Sequence, residues 1–187
     1  MSVKPKCIVV TGRPGSGKTT LAKLLGQRLW RPVVSRDEIK EGYVNTFGVK
    51  HDQLPADTNG IVSNLFFEIV QHYLAGKVSI VIEAAFQHQV WAAKLPSILA
   101  QGVVFMIVCS VEDEVAAQRH LLRGLEDPKR EFYHGDKHVA IYRETGVLAA
   151  PSDYVAPLLD VPTAYVATKG GYAPGIEEIV AQINANE

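Results

Sequence analysis

Long apolar runs are missing from this chain of 187 residues. No stretch approaches the roughly 20 residues that a membrane-crossing helix needs, so no membrane partnership is expected. The first apolar run is short and gives way to a glycine-rich stretch, unlike a signal peptide. Cysteine is scarce. Cys7 and Cys109 both fall in runs that read as buried strands, where a free thiol behaves as a small hydrophobe. A disulfide-stapled scaffold is excluded, and the chain reads as reduced and cytoplasmic. Excess charge of one sign is also missing, because 19 Lys and Arg against 20 Asp and Glu leave a formal net charge of −1. That balance argues against a large nucleic-acid footprint, while a local basic groove stays compatible with it. No repeat, low-complexity tract or composition break divides the sequence. What is there is 47% hydrophobic, enough for the core of one domain spanning 1–187.

Five apolar runs, at 7–10, 32–35, 78–82, 103–109 and 163–167, alternate with stretches of helical spacing. The spacing predicts helices over 18–29, 37–45, 59–74, 90–101, 112–124 and 175–183. Such alternation implies an α/β fold, a parallel sheet with helices on both faces. Ligands of these sheets gather at the carboxyl ends of the strands. Residues 46–57 read as a loop, and 125–162 mix charge and proline with weak helical pattern. Within the latter, roughly 125–145 is expected to form a mobile lid.

Just past the first strand stands Gly12-Arg13-Pro14-Gly15-Ser16-Gly17-Lys18-Thr19, which fits G-x-x-x-x-G-K-[ST], the phosphate-binding P-loop. Glycines at 12, 15 and 17 let the backbone turn tightly and aim N–H groups at phosphate oxygens. Arg13, Pro14 and Ser16 complete the cradle, and Thr20 extends it into the helix. Lys18 carries a compact positive charge to the β- and γ-phosphates, and the Thr19 hydroxyl is a ligand for Mg²⁺. The expected cofactors are therefore ATP and Mg²⁺.

Other polar candidates also follow strand ends. Asp37 opens a helix after the second run, where it serves either the helix dipole or an acceptor hydroxyl whose proton it takes. Glu83 closes the third run, in the position of a carboxylate that holds Mg²⁺ directly or through water. Arg119 and Arg123 share a helix face, suited to clamping phosphate oxygens, stacking on a base or forming a solvated surface. Arg130 falls in the expected lid. His134 and His138 are four apart with Gly135 and Asp136 between, a poor metal pair. Tyr43, Phe47, Phe86, His88 and Trp91 suit either an acceptor pocket or the core.

In this order, the P-loop, the segment Ser35-Arg36-Asp37-Glu38-Ile39-Lys40, Glu83 and the Arg119/Arg123 helix resemble the small P-loop kinases. The nearest branch contains polynucleotide 5′-kinase, gluconate kinase, chloramphenicol phosphotransferase and zeta-toxin-like kinases. The resemblance implies a three-layer fold with five strands in the order 2-3-1-4-5 and the P-loop strand central. It further implies Asp37 as general base, Arg119 and Arg123 as lid-helix arginines, and the loop at 168–172, beginning with Thr168, on the adenine side. The implied activity is ATP-dependent transfer of a phosphoryl group to a hydroxyl of a small-molecule or nucleotide-like acceptor.

Two other readings remain. A regulatory NTPase without acceptor shares the P-loop, but the guanine-selecting Asn-Lys-x-Asp is absent. A polynucleotide 5′-hydroxyl kinase requires a basic groove near Asp37, for which Arg36, Lys40, Lys50 and His51 are a thin supply.

Overall fold

The computed structural model describes residues 4–135, 137–149 and 153–186. Five parallel strands, β1 (Lys6–Thr11), β2 (Val33–Ser35), β3 (Ile80–Glu83), β4 (Val103–Ser110) and β5 (Thr163–Ala167), lie in the order β2-β3-β1-β4-β5. β1 is central and buried throughout, as a near-continuous apolar run covered on both faces requires. Its side chains alternate between two cores, since successive strand residues point to opposite faces. Cys7 and Val9 meet Phe66, Phe67, Val70 and Trp91, whereas Ile8 and Val10 meet Leu21, Leu25, Ile179 and Ile183.

The first core belongs to α3 (Thr58–Ala75) and α4 (His88–Leu99), the second to α1 (Lys18–Leu29) and α8 (Ile176–Ala185). Each fully buried large apolar side chain contributes about 1.5–3 kcal/mol, so both layers hold the sheet firmly. Cys7 and Cys109 are free and buried, and burial pushes each thiol up to about 12. No helix among the described residues is long and apolar enough to cross a membrane.

The expected elements at 18–29 and 163–167 coincide with α1 and β5. The third strand does not start at 78. Lys77 adopts positive φ and Val78 N–H donates to the Tyr73 carbonyl, so the close of α3 claims both residues. β3 therefore runs through Glu83 rather than stopping before it. The remaining helices are α2 (Arg36–Phe47), α5 (Asp113–Glu126), α6 (Lys129–His134) and α7 (Lys137–Thr145), with a 3-10 turn at His51–Gln53. Residues 46–57 thus contain the end of α2 and this turn, and the expected lid is built of α6 and α7 after the end of α5. Glycine explains why weak periodicity hid two helices: Gly135, in the left-handed region, ends α6 after six residues, and an amphipathic pattern needs more length than that to show.

Candidate active site

The P-loop joins the end of β1 to α1, with Gly17 in left-handed geometry as the helix N-cap. Gly15 is the least replaceable of its residues. It has φ of +81°, and a Cβ there would lie 2.1 Å from the Ala116 carbonyl oxygen of α5. Backbone on both sides of that contact leaves no flexible end to yield. Gly15→Ala is expected to cost about 2–4 kcal/mol, read as a fall in urea midpoint; an unchanged midpoint would refute the contact. Arg13 pairs with Asp113 at the start of α5. Pro14 is half-buried, Thr19 likewise, and Thr20 is exposed. Ser16 is buried with its Oγ making no hydrogen bond among the described residues, an unspent donor and acceptor inside the cradle.

Sheet register then aligns three chemical groups. Val10 of β1 pairs with Glu83 of β3, and Glu83 pairs with Ser35 of β2. The Ser35 hydroxyl donates to Glu83 Oε2 at 2.8 Å, and Lys18 Nζ lies 3.5 Å from Oε1. Lys18 and Glu83 are both buried, with side-chain exposures of 6% and 2%. Glu83 Oε1 accepts no hydrogen bond among the described residues. A hard carboxylate oxygen with spare capacity, beside the P-loop lysine that precedes Thr19, fits an oxygen-ligated cation such as Mg²⁺.

Behind this row, Thr11 Oγ1 donates to the Ala84 carbonyl at 2.8 Å and accepts from Trp91 Nε1 at 3.2 Å. Its only proton being spent, the Tyr154 hydroxyl 3.3 Å away must be the donor in that contact. Burial pushes the Tyr154 phenol up, against the opposing Thr11 hydrogen bond, so it remains a neutral donor. Tyr154 rides on a strap fastened to α4: Gln87 Nε2 donates to the Asp153 carbonyl at 2.8 Å, Val155 N–H to Gln87 Oε1 at 2.7 Å, and Leu158 N–H to His88 Nδ1 at 3.1 Å. A cavity of about 230 Å³ lies between Tyr154, Arg13 and Ser110. Tyr154→Phe is expected to lose about 1 kcal/mol of stability; chemical denaturation showing no loss would mean water replaces the bond.

Asp37 sits in the first turn of α2 with its carboxylate half exposed. Burial acts to raise its pKa, but the charges of Lys18, His134 and Arg36 outweigh it and hold Asp37 below its ordinary value. Arg36 itself donates to Asn59 Oδ1 at 2.8 Å and reaches Asp37 Oδ1 at 3.4 Å. The lowered pKa keeps the acid ionised, the form in which a carboxylate is able to accept a proton.

On the other side of the P-loop, Arg119 Nη2 donates to the carbonyls of Thr168 and Lys169, each at 2.9 Å. Thr168 Oγ1 donates to the Ser16 carbonyl at 2.8 Å. Arg119 thus braces the loop after β5, and Thr168 ties that loop to the cradle. Arg123, half-buried, follows one turn along α5.

The aromatic candidates divide. Trp91 is buried, and its ring centroid lies 5.4 Å from that of Phe86, in the core with Phe66 and Phe67. His88 holds the strap. Tyr43 and Phe47, 4.9 Å apart along α2, leave Phe47 exposed. His134 and His138 fall on different helices: His134 Nε2 meets Glu41 Oε1 at 2.8 Å, and His138 stacks on His120 with centroids 4.0 Å apart. Asp136 lies outside the described residues. Among those described, no three His, Cys, Asp or Glu gather as a metal site. Ser35 and Tyr154 join the site without having been singled out as site residues. Ser35 stands two residues before Asp37, a clue at hand; Tyr154 offers none.

A glycine loop at the N-terminus of α1, a central strand before it and an acid ending the neighbouring strand define a nucleotide-binding P-loop protein with the kinase-type fold. A family described as AAA domain matches residues 7–141, and the chain belongs to it. No curated protein matches the sequence. Among solved structures, a proposed kinase from Chloroflexus aurantiacus is similar with a TM-score of 0.79 and 20% identity, over 98% of this chain and 99% of that one. The APS kinase of Mycobacterium tuberculosis, solved with AMPPNP and APS, gives 0.65 at 15% identity over 98% and 99%. A gluconokinase from Sinorhizobium meliloti gives 0.56 at 18% identity over 98% and 94%. At such identities the likeness is one of fold.

Proposed function

We propose that this protein is an ATP-dependent phosphotransferase acting on a hydroxyl of a small-molecule or nucleotide-like acceptor. The observation that carries this reading is the convergence of Lys18, Glu83 and an ionised Asp37 at the carboxyl ends of three adjacent strands. A switch without acceptor has no evident use for Asp37 in that position. Backbone N–H groups of 12–17 and Lys18 hold the β- and γ-phosphates. The Thr19 hydroxyl and Glu83 would hold Mg²⁺, which when bound neutralises charge between those phosphates. Asp37 takes the proton of the acceptor hydroxyl as its oxygen bonds to the γ-phosphorus. The bond to the β,γ-bridging oxygen breaks, and ADP carries the electron pair away.

Arg119 supports the nucleotide side through the loop at Thr168, and Arg119 and Arg123 are the arginines of α5 that would neutralise phosphate charge as the lid closes. The supply of positive charge for a polynucleotide acceptor is thin. Arg36 is engaged by Asn59 and Asp37, and Lys50 by Glu131 at 2.9 Å. That supports a small acceptor over a polymer. Free buried thiols accord with a reducing, cytoplasmic setting.

The test is ATP turnover against a panel of sugars, nucleosides, antibiotics and 5′-hydroxyl oligonucleotides. Stimulation by one class, with label from the γ-phosphate appearing in that acceptor, supports transfer and names the substrate class. Hydrolysis indifferent to every acceptor returns the protein to the switch reading.

A further inference from the structure

One serine both closes β2 and opens α2. As the N-cap of α2, Ser35 has extended backbone, with φ −105° and ψ 129°. From that conformation a serine oxygen ordinarily accepts a hydrogen bond from a first-turn N–H of the helix. Among the described residues it makes no such bond. Its hydroxyl instead donates across the sheet to Glu83 Oε2 at 2.8 Å, with both residues buried. Strand register permits the contact, because Ser35 lies opposite Glu83 on the neighbouring strand. Side chains alternate between the two faces along each strand, and this pair shares one face. A capping serine that forgoes its cap for an acid 48 positions away is serving the acid.

The two oxygens of Glu83 are thereby made unequal. Oε2 is held by a hydroxyl, whereas Oε1 accepts no hydrogen bond among the described residues and has Lys18 Nζ 3.5 Å away. The backbone just after Glu83 is fastened to β1. Ala84 N–H donates to the Val10 carbonyl at 3.3 Å, and the Ala84 carbonyl accepts from Thr11 Oγ1 at 2.8 Å. What these bonds leave open is rotation of the carboxyl group about its own side-chain bonds. Of the two groups that restrain it, Lys18 is shared with the phosphates it is proposed to hold. The Ser35 bond is not shared.

We propose that Ser35 is a positioning residue for Glu83, its hydroxyl fixing Oε2 so that Oε1 faces the cation of a bound nucleotide. This rests on the reading of Glu83 as the carboxylate that holds Mg²⁺. A carboxylate that ligates a metal is itself hydrogen-bonded, and losing such a partner typically costs about 10–100-fold in metal affinity. Ser35 acts through Glu83 and touches neither phosphate nor acceptor in this role.

The test is Mn²⁺ binding to the full chain saturated with AMPPNP, Mn²⁺ standing in for Mg²⁺ and its free signal followed by electron paramagnetic resonance. Ser35→Ala and the nearly isosteric Ser35→Cys are expected to weaken Mn²⁺ binding by about tenfold or more. Ser35→Thr keeps the hydroxyl and is expected to restore it to within about threefold of wild type. AMPPNP affinity in EDTA should stay within about twofold in all three variants, since the serine acts on the metal side alone. Wild-type Mn²⁺ affinity in Ser35→Ala, beside a loss in Glu83→Gln, would overturn the proposal and leave the Glu83 reading standing. Wild-type affinity in Glu83→Gln would remove the acid from the cation, and Ser35 with it. Metal-free AMPPNP binding that falls as far as Mn²⁺ binding would make the serine merely structural. Faster amide exchange in the first turn of α2 in Ser35→Ala, with Mn²⁺ affinity unchanged, would return it to the role of a helix cap.

Discussion

Asp37→Asn is expected to lower kcat/KM for the acceptor by about 10²–10⁴-fold while leaving ATP affinity within about twofold of wild type. The change is isosteric and keeps an oxygen for Arg36, so what disappears is the capacity to hold a proton. Asparagine cannot take the hydroxyl proton as the new P–O bond forms. The nucleotide contacts proposed above lie in the P-loop and the loop at Thr168, with which Asp37 shares no hydrogen bond among those described. The pH profile sharpens the prediction. Burial acts to raise the Asp37 pKa, but Lys18, His134 and Arg36 together lower it. A depressed carboxylate stays ionised as pH falls through the ordinary range. The acid limb of kcat/KM is therefore expected below about 3.9, if the fold survives there. For stability the sign is the same: the contribution of Asp37 is present above its unfolded pKa and lost as pH falls through the folded one. Transfer surviving in Asp37→Asn, measured at saturating ATP, would remove the residue from the mechanism.

Lys18→Ala carries the second large effect, and it has two separable parts. Transfer is expected to fall by about 10³-fold or more, because a positive charge stabilising the γ-phosphate in the transition state is gone. Stability is expected to fall as well, by about 3–5 kcal/mol. Glu83 is 2% exposed and 3.5 Å from Lys18, and without that partner its Oε1 is a buried charge with nothing to offset it. The Ser35 hydroxyl serves only Oε2. A second substitution distinguishes the two parts. Glu83→Gln on the Lys18→Ala background neutralises the stranded carboxylate and is expected to restore most of the urea midpoint. It should restore none of the transfer. A Lys18→Ala protein that unfolds at the wild-type midpoint would show that the pair contributes little, and one that transfers phosphate normally would displace Lys18 from the phosphates.

The sequence by itself determined the local units. Lys6–Thr11, the glycine loop and α1 are contiguous, so apolar run, backbone freedom and helical spacing all act within 24 residues. A single chain direction brings the loop to the strand end, and the phosphate site was legible for that reason. The acids were legible more weakly, as residues at strand ends, because alternating elements send every such end to one edge of a parallel sheet. What only the tertiary structure decided is which residues complete each one. Tyr154 reaches Thr11 across 143 positions and Thr168 reaches Ser16 across 152, and no local pattern encodes such a meeting. Arg119 shows the same limit, since its helical spacing is visible but its engagement with the Thr168 carbonyl depends on where β5 and α5 pack. The aromatics Phe86 and Trp91 satisfied pocket and core equally until packing placed them against Phe66 and Phe67. Periodicity reports how a segment folds on itself, because its terms are the spacing of neighbours along the chain. Partner choice is set by packing of whole elements against one another, where the relevant neighbours are distant in sequence and close only in space.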